Sequence, residues 1–333
     1  MELMLTSHKV TKVGAVVVNW NAGDHLRRCI AALGAQDVPF DKIVIIDNGN
    51  SIPPGALQFP SQEKVQYLRL PYNAGFAKAN NMALGMLKDY EWVALVNPDA
   101  FLETDWLGKM LAAATVHPEF SSFAGQLVMF EDRPRLDGTG DIYHVSGLVW
   151  RRGHGTLRKE CALSEEEVFS PCAAAALYRS DAFTSVGGFD EDFFCYVEDV
   201  DVGFRLRLAG HRCMFVAGAV AYHVGSVTTG GKHSDFAIYH GHRNLVWTFI
   251  KNMPGALFWI LLPLHLAMNV FTVAHVSLRG KSRVILRSKW DAIKGIRMMW
   301  RKRRQIQASR VVSIRQIWHM LDKRFTRNRN AVM

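Results

Sequence analysis

The chain has no CxxC pair, and its five cysteines (Cys29, Cys161, Cys172, Cys195 and Cys213) are an odd number scattered over 333 residues. That spacing excludes a disulfide scaffold and a ribbon-type zinc site, both of which need paired thiols, and it fits a reduced, cytosolic setting. The opening MELMLTSHKVTK lacks the apolar run of a secretory signal. There is no internal repeat and no low-complexity segment. Charged residues make up only 21% against 49% apolar, an ordinary globular composition that excludes a largely disordered protein. The length suits one large domain or two, with ample material for a core.

Acidic residues nearly vanish at the C-terminus. From Arg279 to Met333 there are 17 Lys and Arg against Asp291 and Asp322, a net of +15 in a chain whose total is +10. The remainder is therefore mildly acidic, at −5. Such a tail meets nucleic acid or anionic lipid, and what precedes it decides between them. Gly255 to Leu278 has no charged side chain, and as a helix it is about 36 Å long, enough to cross a bilayer. Pro263 interrupts it, and His265, Asn269, Thr272 and His275 fall on one helical face. A single crossing would also set the basic tail opposite a cytoplasmic body, against the positive-inside tendency. The expectation is an interfacial or re-entrant segment, or two short helices broken near Pro263, with a buried core helix as the alternative. Trp290, Ile293, Ile296 and Trp300 among Lys and Arg form a basic amphipathic pattern, so the expected partner is an anionic membrane surface and not nucleic acid.

Upstream, β-rich apolar runs alternate with helical stretches. Val13–Asn19 reads as a fully buried strand because it is short, β-branched and almost continuously apolar. Asp24–Leu33 reads as a helix with Asp24 as its N-cap and Gly34 as its stop. Lys42–Ile46, Val65–Leu70 and Trp92–Val96 read as further strands, with a helical stretch Phe76–Lys88 before the last. The alternation predicts an α/β fold with a mostly parallel central sheet. Residues 118–170 are less regular, rich in Gly, Arg and Asp, and are expected to supply the far side of a cleft. Asp181–Val186 predicts a short helix closed by Gly187 and Gly188. Val200, Val202, Phe204, Leu206 and Leu208 alternate as in a strand, but an acidic start at Asp199 and Gly210 at the end favour a helix burying Val200, Phe204 and Leu208.

Polar clusters fall where strands should end: Asp47 in IVIIDNGN, the run NAGFAKANN from Asn73 to Asn81, and Asn97-Pro98-Asp99. Ligands of parallel α/β sheets bind beyond the carboxyl ends of the strands, so these clusters imply one site. Pro98 turns the chain at Asn97 and presents Asp99, a carboxylate suited to a hard cation that bridges phosphate oxygens. A fourth cluster, GGFDEDFFCYVEDVDVGFRLRLAG, sets Asp190, Glu191, Asp192, Glu198, Asp199 and Asp201 among Phe189, Phe193, Phe194 and Tyr196. Some of these acids must pair, bind metal or carry raised pKa values, as general bases do; an acidic surface loop anchored by aromatics is the other reading.

In this order VVVNWN, IVIIDNGN, NAGFAKANN, NPD and GGFDEDFFCYVEDVDVGFRLRLAG strongly resemble the family 2 inverting glycosyltransferases of GT-A fold, over about Val13 to Pro254. Within that family the chain looks most like the bacterial rhamnosyltransferase-like group that builds surface polysaccharides. The resemblance implies a nucleotide-sugar donor, with dTDP-rhamnose as best guess, a lipid-linked or cell-surface glycan acceptor, and a divalent metal (Mg or Mn). Carried over by position, Asn19 and Asn21 line the nucleotide pocket and Asp47 holds the base or ribose. Asn73 and Gly75 lie near the diphosphate, Asn97 belongs to the donor site, and Asp99 binds the metal. Asn97 stands where many relatives have a second acid, and His223 in AYHVGS falls where some members place a histidine that would complete the shell. Glu198-Asp199 matches the ED motif, with Asp199 as the base. Arg243, in an Arg243-Asn244 pair typical of the group, would contact the diphosphate or a lipid-linked acceptor. The absence of QxxRW argues against a processive synthase, and Cys172 reads as packing. The expected organisation is a catalytic domain over 1–254, an apolar membrane-associated segment over 255–278 and a basic helical tail over 279–333. A non-catalytic scaffold of the same fold at the membrane is the alternative.

Overall fold

The computed structural model describes residues 11–49, 62–160, 164–225, 231 and 234–324. The N-terminal ten residues and Cys161, both used in the sequence reading, lie outside this set. Elements follow as β1 (Val13–Asn19), α1 (Asp24–Gly34), β2 (Lys42–Asn48), β3 (Val65–Leu70), α2 (Phe76–Gly85), β4 (Trp92–Val96), β5 (Ala100–Leu102), α3 (Trp106–Val116) and β6 (Ser122–Met129). Then come β7 (Leu136–Gly138), β8 (Asp141–Tyr143), β9 (Val149–Arg151), β10 (Glu166–Val168), β11 (Ala175–Arg179), α4 (Ser180–Ser185), α5 (Glu198–Leu208) and β12 (Cys213–His223). The chain ends in α6 (Asp235–Asn252), α7 (Gly255–Val276), α8 (Ser282–Lys294), α9 (Ile296–Ala308) and α10 (Ile314–Met320).

The main sheet runs in the order β10-β12-β6-β11-β4-β1-β2-β3. β3, β2, β1 and β4 are parallel, β11 runs antiparallel between β4 and β6, and β12 is again parallel to β6. Most strands therefore point one way, as the β–α alternation requires. Side chains alternate across the sheet. Val13, Ala15 and Val17 pack toward α1 and α3, whereas Val16 and Val18 pack toward α2, α4 and α5. The expected strands are all present; α2 stops at Gly85, short of Lys88. Asp24 lies inside α1, and the N-cap is Gly23 with no side-chain bond. The segment from 199 is a helix, yet it buries every residue from Val200 to Leu208, because α5 is enclosed on all sides and not on one face alone.

Residues on both sides of the boundary expected at 254 share one core. One core cluster joins Tyr143, Phe169, Phe193, Val200 and Phe204 of the body to Leu257, Phe258 and Leu261 of α7, Ala292 of α8, Met299 of α9 and Ile317 of α10. Charge completes the join. The buried Lys251 Nζ of α6 donates to Asp190 at 2.5 Å and to Asp201 at 2.8 Å, and Asn252 Nδ2 and Arg205 Nε donate to the same Asp201 carboxylate. Lys302 of α9 pairs with Asp190 and Asp192, and Arg303 donates to the carbonyls of Ile250 and Met253 at the α6–α7 corner. Asp190 and Asp192 are thus met by a cation of the basic tail.

The helix α7 runs unbroken through Pro263; the break falls at Arg279 and Gly280 instead. By length and composition it could cross a membrane, but its polar stripe faces the body. The buried His265 donates through Nδ1 to the Ser146 carbonyl at 2.8 Å and stacks on Phe249, and Asn269 accepts from Lys289 of α8 at 2.6 Å. The opposite face, with Trp259, Ile260, Leu266, Val270 and Phe271, is exposed, as are Leu286, Trp290 and Ile293 on α8.

Removing Lys251 takes away the buried cation shared by Asp190 and Asp201 and leaves them to Lys302 and to Arg205 with Asn252. Lys251→Ala should therefore lower stability by about 3–5 kcal/mol in urea unfolding, and a loss below about 1 kcal/mol, the size of an exposed pair, would show that the network is idle.

Candidate active site

The carboxyl ends of β1, β2 and β4 open onto a cleft of about 1000 Å³. Asn73, Asn97, Asp99, Glu198, Asp199 and His223 all line it, so residues spread over 150 positions of sequence converge there. On one wall Asp99 and His223 are both buried, with Asp99 Oδ1 3.4 Å from His223 Nε2. The other ring nitrogen, Nδ1, lies 2.7 Å from Asp137 Oδ2, and Asp137 in turn pairs with Arg151. The carboxylate behind the ring fixes which nitrogen faces Asp99, as carboxylates do behind metal-bound histidines. Burial opposes the imidazolium, but Asp99 and Asp137 outweigh it and push His223 up to about 9. Burial likewise works against the Asp99 carboxylate, and the His223 charge prevails and lowers it. At the raised proton affinity of His223, Nε2 carries a hydrogen, so the ring would take a metal only by giving up that proton. Among the described residues no group of three or more His, Cys, Asp or Glu side chains is arranged to hold a metal alone. Asp99 and His223 therefore fit a divalent ion only if a bound diphosphate and water supply its other ligands, the usual arrangement for Mg.

The lining beside Asp99 and His223 is acidic. Asp199 accepts from the Val200 amide at 2.9 Å and the Ala173 amide at 3.3 Å, and burial raises its pKa. Glu198 is buried with Oε2 unpartnered, and burial followed by the Asp199 charge pushes it well above the carboxylate range. Asp141, on β8, is buried with Oδ2 unpartnered and is raised for the same two reasons. Burial and mutual repulsion raise the proton affinity of these carboxyls, and that suits proton exchange with a hydroxyl. Cys172 also lines the cleft, and burial raises its thiol, so it is neutral packing as expected.

The backbone that presents Glu198 and Asp199 is strained. Phe194, Tyr196 and Val197 all have positive φ, at 65°, 68° and 68°, each costing about 1–3 kcal/mol in a non-glycine residue. The loop is held from α6. Asn244, fully buried, donates Nδ2 to the carbonyls of Phe193, Cys195 and Tyr196 at 2.7–3.0 Å. Arg243 donates to the carbonyls of Asp192 and Phe193 and lies over the Trp247 ring. The Arg243 guanidinium, expected at the diphosphate or a lipid-linked acceptor, is here engaged by carbonyls of the loop. Phe194 covers Gly75, where a Cβ would come within 2.6 Å of its ring, and accepts from the Ala77 amide. Gly75 serves that close approach and does not line the cleft.

The remaining donor-site residues act from beneath. Asn73 Oδ1 accepts from Asn48 Nδ2 and from the Gly75 amide, both at 2.9 Å, which shapes the NAG turn. Asp47 is fully buried, accepting from Tyr67 at 2.7 Å and from Asn19 at 3.3 Å across the β1–β2 register. Asn19, Asp47 and the exposed Asn21 do not line the cleft among the described residues. Asp137, Asp141 and Arg151 went unnoticed in the sequence. Their only signal was an excess of Asp, Gly and Arg in a stretch without periodicity, which does form the far wall as expected.

A model described as Glycosyl transferase family 2 matches residues 15–186, and the chain belongs to that family and is a glycosyltransferase. An N-acetylglucosaminyl-diphospho-decaprenol L-rhamnosyltransferase of Mycobacterium tuberculosis is 26% identical over 306 residues, covering 84% of this chain and 97% of the relative. Rhamnosyltransferase WbbL of Escherichia coli K12 is 25% identical over 225 residues, covering 62% and 81%. These relatives place the chain with the rhamnosyltransferase-like type. The structure of GalNAc-T7 with UDP, GalNAc and Mn2+ superposes with a TM-score of 0.57 at 12% identity, over 73% of this chain and 48% of that one. The chain thus spans about half the length of that structure, and the likeness shows the GT-A fold.

Proposed function

We propose that the protein moves a sugar, with dTDP-rhamnose as donor, onto a lipid-linked glycan at the cytoplasmic surface of the plasma membrane. The observation that carries the reading is the cleft itself, lined by Asp99 and His223 and by the carboxyls of Asp141, Glu198 and Asp199. The names of the two relatives support rhamnose, and that of the mycobacterial one supports a diphosphate-linked lipid acceptor.

The chemistry is one in-line displacement. The acceptor hydroxyl oxygen attacks the anomeric carbon, its proton passes to a carboxylate oxygen of Asp199, and the nucleoside diphosphate leaves with the bonding pair. One displacement inverts the configuration. Ala173 and Val200 amides orient Asp199, and burial raises its proton affinity toward that of a working base. Glu198 Oε2, without a partner among the described residues, is available to a substrate hydroxyl. Asp99 and His223 would hold a Mg or Mn ion, which when bound offsets negative charge on the leaving diphosphate.

Asp199→Asn keeps the shape and loses the base, so turnover should fall ~100-fold or more while donor affinity changes little. The wild-type rate should rise with pH as Asp199 sheds its proton, with an inflection above the ordinary carboxylate range, and the variant should lack that inflection. Product formation from a panel of nucleotide sugars, with Mn or a chelator, is the assay; wild-type turnover in Asp199→Asn would remove the base, and full activity in chelator would remove the metal.

Membrane attachment is the second part of the reading. The exposed stripe on α7 buries hydrocarbon, which salt does not screen, whereas the attraction of Arg283, Arg297 and Arg301 to anionic headgroups is screened. In flotation with phosphatidylglycerol-containing vesicles the full chain should stay bound at about 1 M salt, since screening then reaches down to ~3 Å. Release by salt alone would leave only the charges touching lipid.

A further inference from the structure

The reaction cleft does not end at the catalytic body. Its wall continues through Phe271, Thr272, His275 and Val276 of α7 to Arg279 and Lys281 in the kink beyond it. The kink is local in origin: Arg279 leaves helical geometry at ψ 15° and Gly280 takes φ 77°, a conformation open to glycine. The cations of this wall differ in what they already hold. Arg151 is tied to Asp137, His223 lies between Asp99 and Asp137, and Lys281 Nζ sits 2.6 Å from Asp235. Arg279 is the lysine or arginine of the cleft wall that has no carboxylate partner among the described residues. Next to it Leu278 is 89% exposed, and Phe271, two turns back and also in the cleft wall, is 59% exposed.

A guanidinium that borders a reaction cleft on one side and exposed hydrocarbon on the other matches a ligand with the same division. Phosphate oxygens suit the planar fork of arginine, which can donate two hydrogen bonds to them. Resting on the transfer to a lipid-linked glycan read above, we propose that Arg279, with Lys281 beside it, is the subsite for the diphosphate of the lipid-diphosphate acceptor. The lipid chain then runs out past Phe271 and Leu278 into the bilayer, and the acceptor sugar extends inward toward Asp199. An ordinary phospholipid headgroup shares the phosphate chemistry but offers no glycan to fill the cleft between Arg279 and Asp199. The phosphates of the donor nucleotide belong at Asp99 and His223, on the far side of the same space.

The test uses the full chain in phosphatidylcholine nanodiscs, titrated calorimetrically with farnesyl diphosphate and with farnesol. The wild type should bind the diphosphate about ten- to a hundredfold more tightly than the alcohol, Arg279→Gln should lose most of that preference, and Arg279→Lys should keep part of it. An unchanged preference in Arg279→Gln overturns the proposal. Displacement of farnesyl diphosphate by an equal concentration of inorganic diphosphate would mark a site for the free anion, and displacement by phosphatidylglycerol in the disc a headgroup site; either also overturns it. Sugar transfer by the wild type to a lipid-diphosphate glycan, alongside an unaltered Arg279→Gln preference, would discard the subsite and keep the function. Arg279-dependent binding without transfer to any such glycan would discard the function and keep the diphosphate site.

Discussion

The grip of α6 on the acidic loop before α5 is the contact on which the rest of the active site depends. That loop carries three left-handed residues in a four-residue span, a conformation the chain does not hold unaided. Asn244 supplies three hydrogen bonds to its carbonyls, Arg243 two, and Lys251 neutralises Asp190 and Asp201 at its two ends. Without these, Glu198 and Asp199 would not line the cleft with Asp99 and His223. The cost of desolvating so many acids is met by pairing most of them and leaving the rest, at the cleft, with raised proton affinity.

The same helix explains why the C-terminal region cannot be an appendage. Its inner face holds the loop, while Trp247 and Phe249 join the core that α7, α8, α9 and α10 complete. Lys302 reaches from α9 to Asp190, which Lys251 also holds, and to Asp192. The surface that α7 turns outward and the loop that carries Glu198 and Asp199 are therefore parts of one packed unit, and α7 builds part of the rim of the cleft.

Much of the fold was legible because strands buried on both faces announce themselves. VGAVVVN, KIVIIDN and WVALV are continuous apolar runs and form β1, β2 and β4. β6 (SFAGQLVM) lies deep in the sheet but was hidden by its glycine and polar residues; at Gly125 a Cβ would come within 2.7 Å of the Ala219 carbonyl, a constraint no local pattern reveals. The site residues on the cleft wall followed from ordered motifs, whereas Asp137 and Arg151 act through partners as many as 86 positions away. The pair Arg243-Asn244 drew notice by its motif, but its role is set by backbone carbonyls, which a sequence does not display. In the tail the charge was plain and its direction was not: Lys302 and Arg303 point inward because Asp190, Asp192 and the α6–α7 corner are there to meet them.

The central claim is that α6 holds the proposed base, Asp199, in place through Asn244. Amide hydrogen exchange over residues 190–201, read together with kcat in Asn244→Ala, tests it most directly. The expected result is exchange at least about tenfold faster within that loop, the sheet amides unchanged, and kcat down by ~10- to 100-fold with donor affinity within about threefold of wild type. Unaltered loop protection with wild-type kcat would contradict the account.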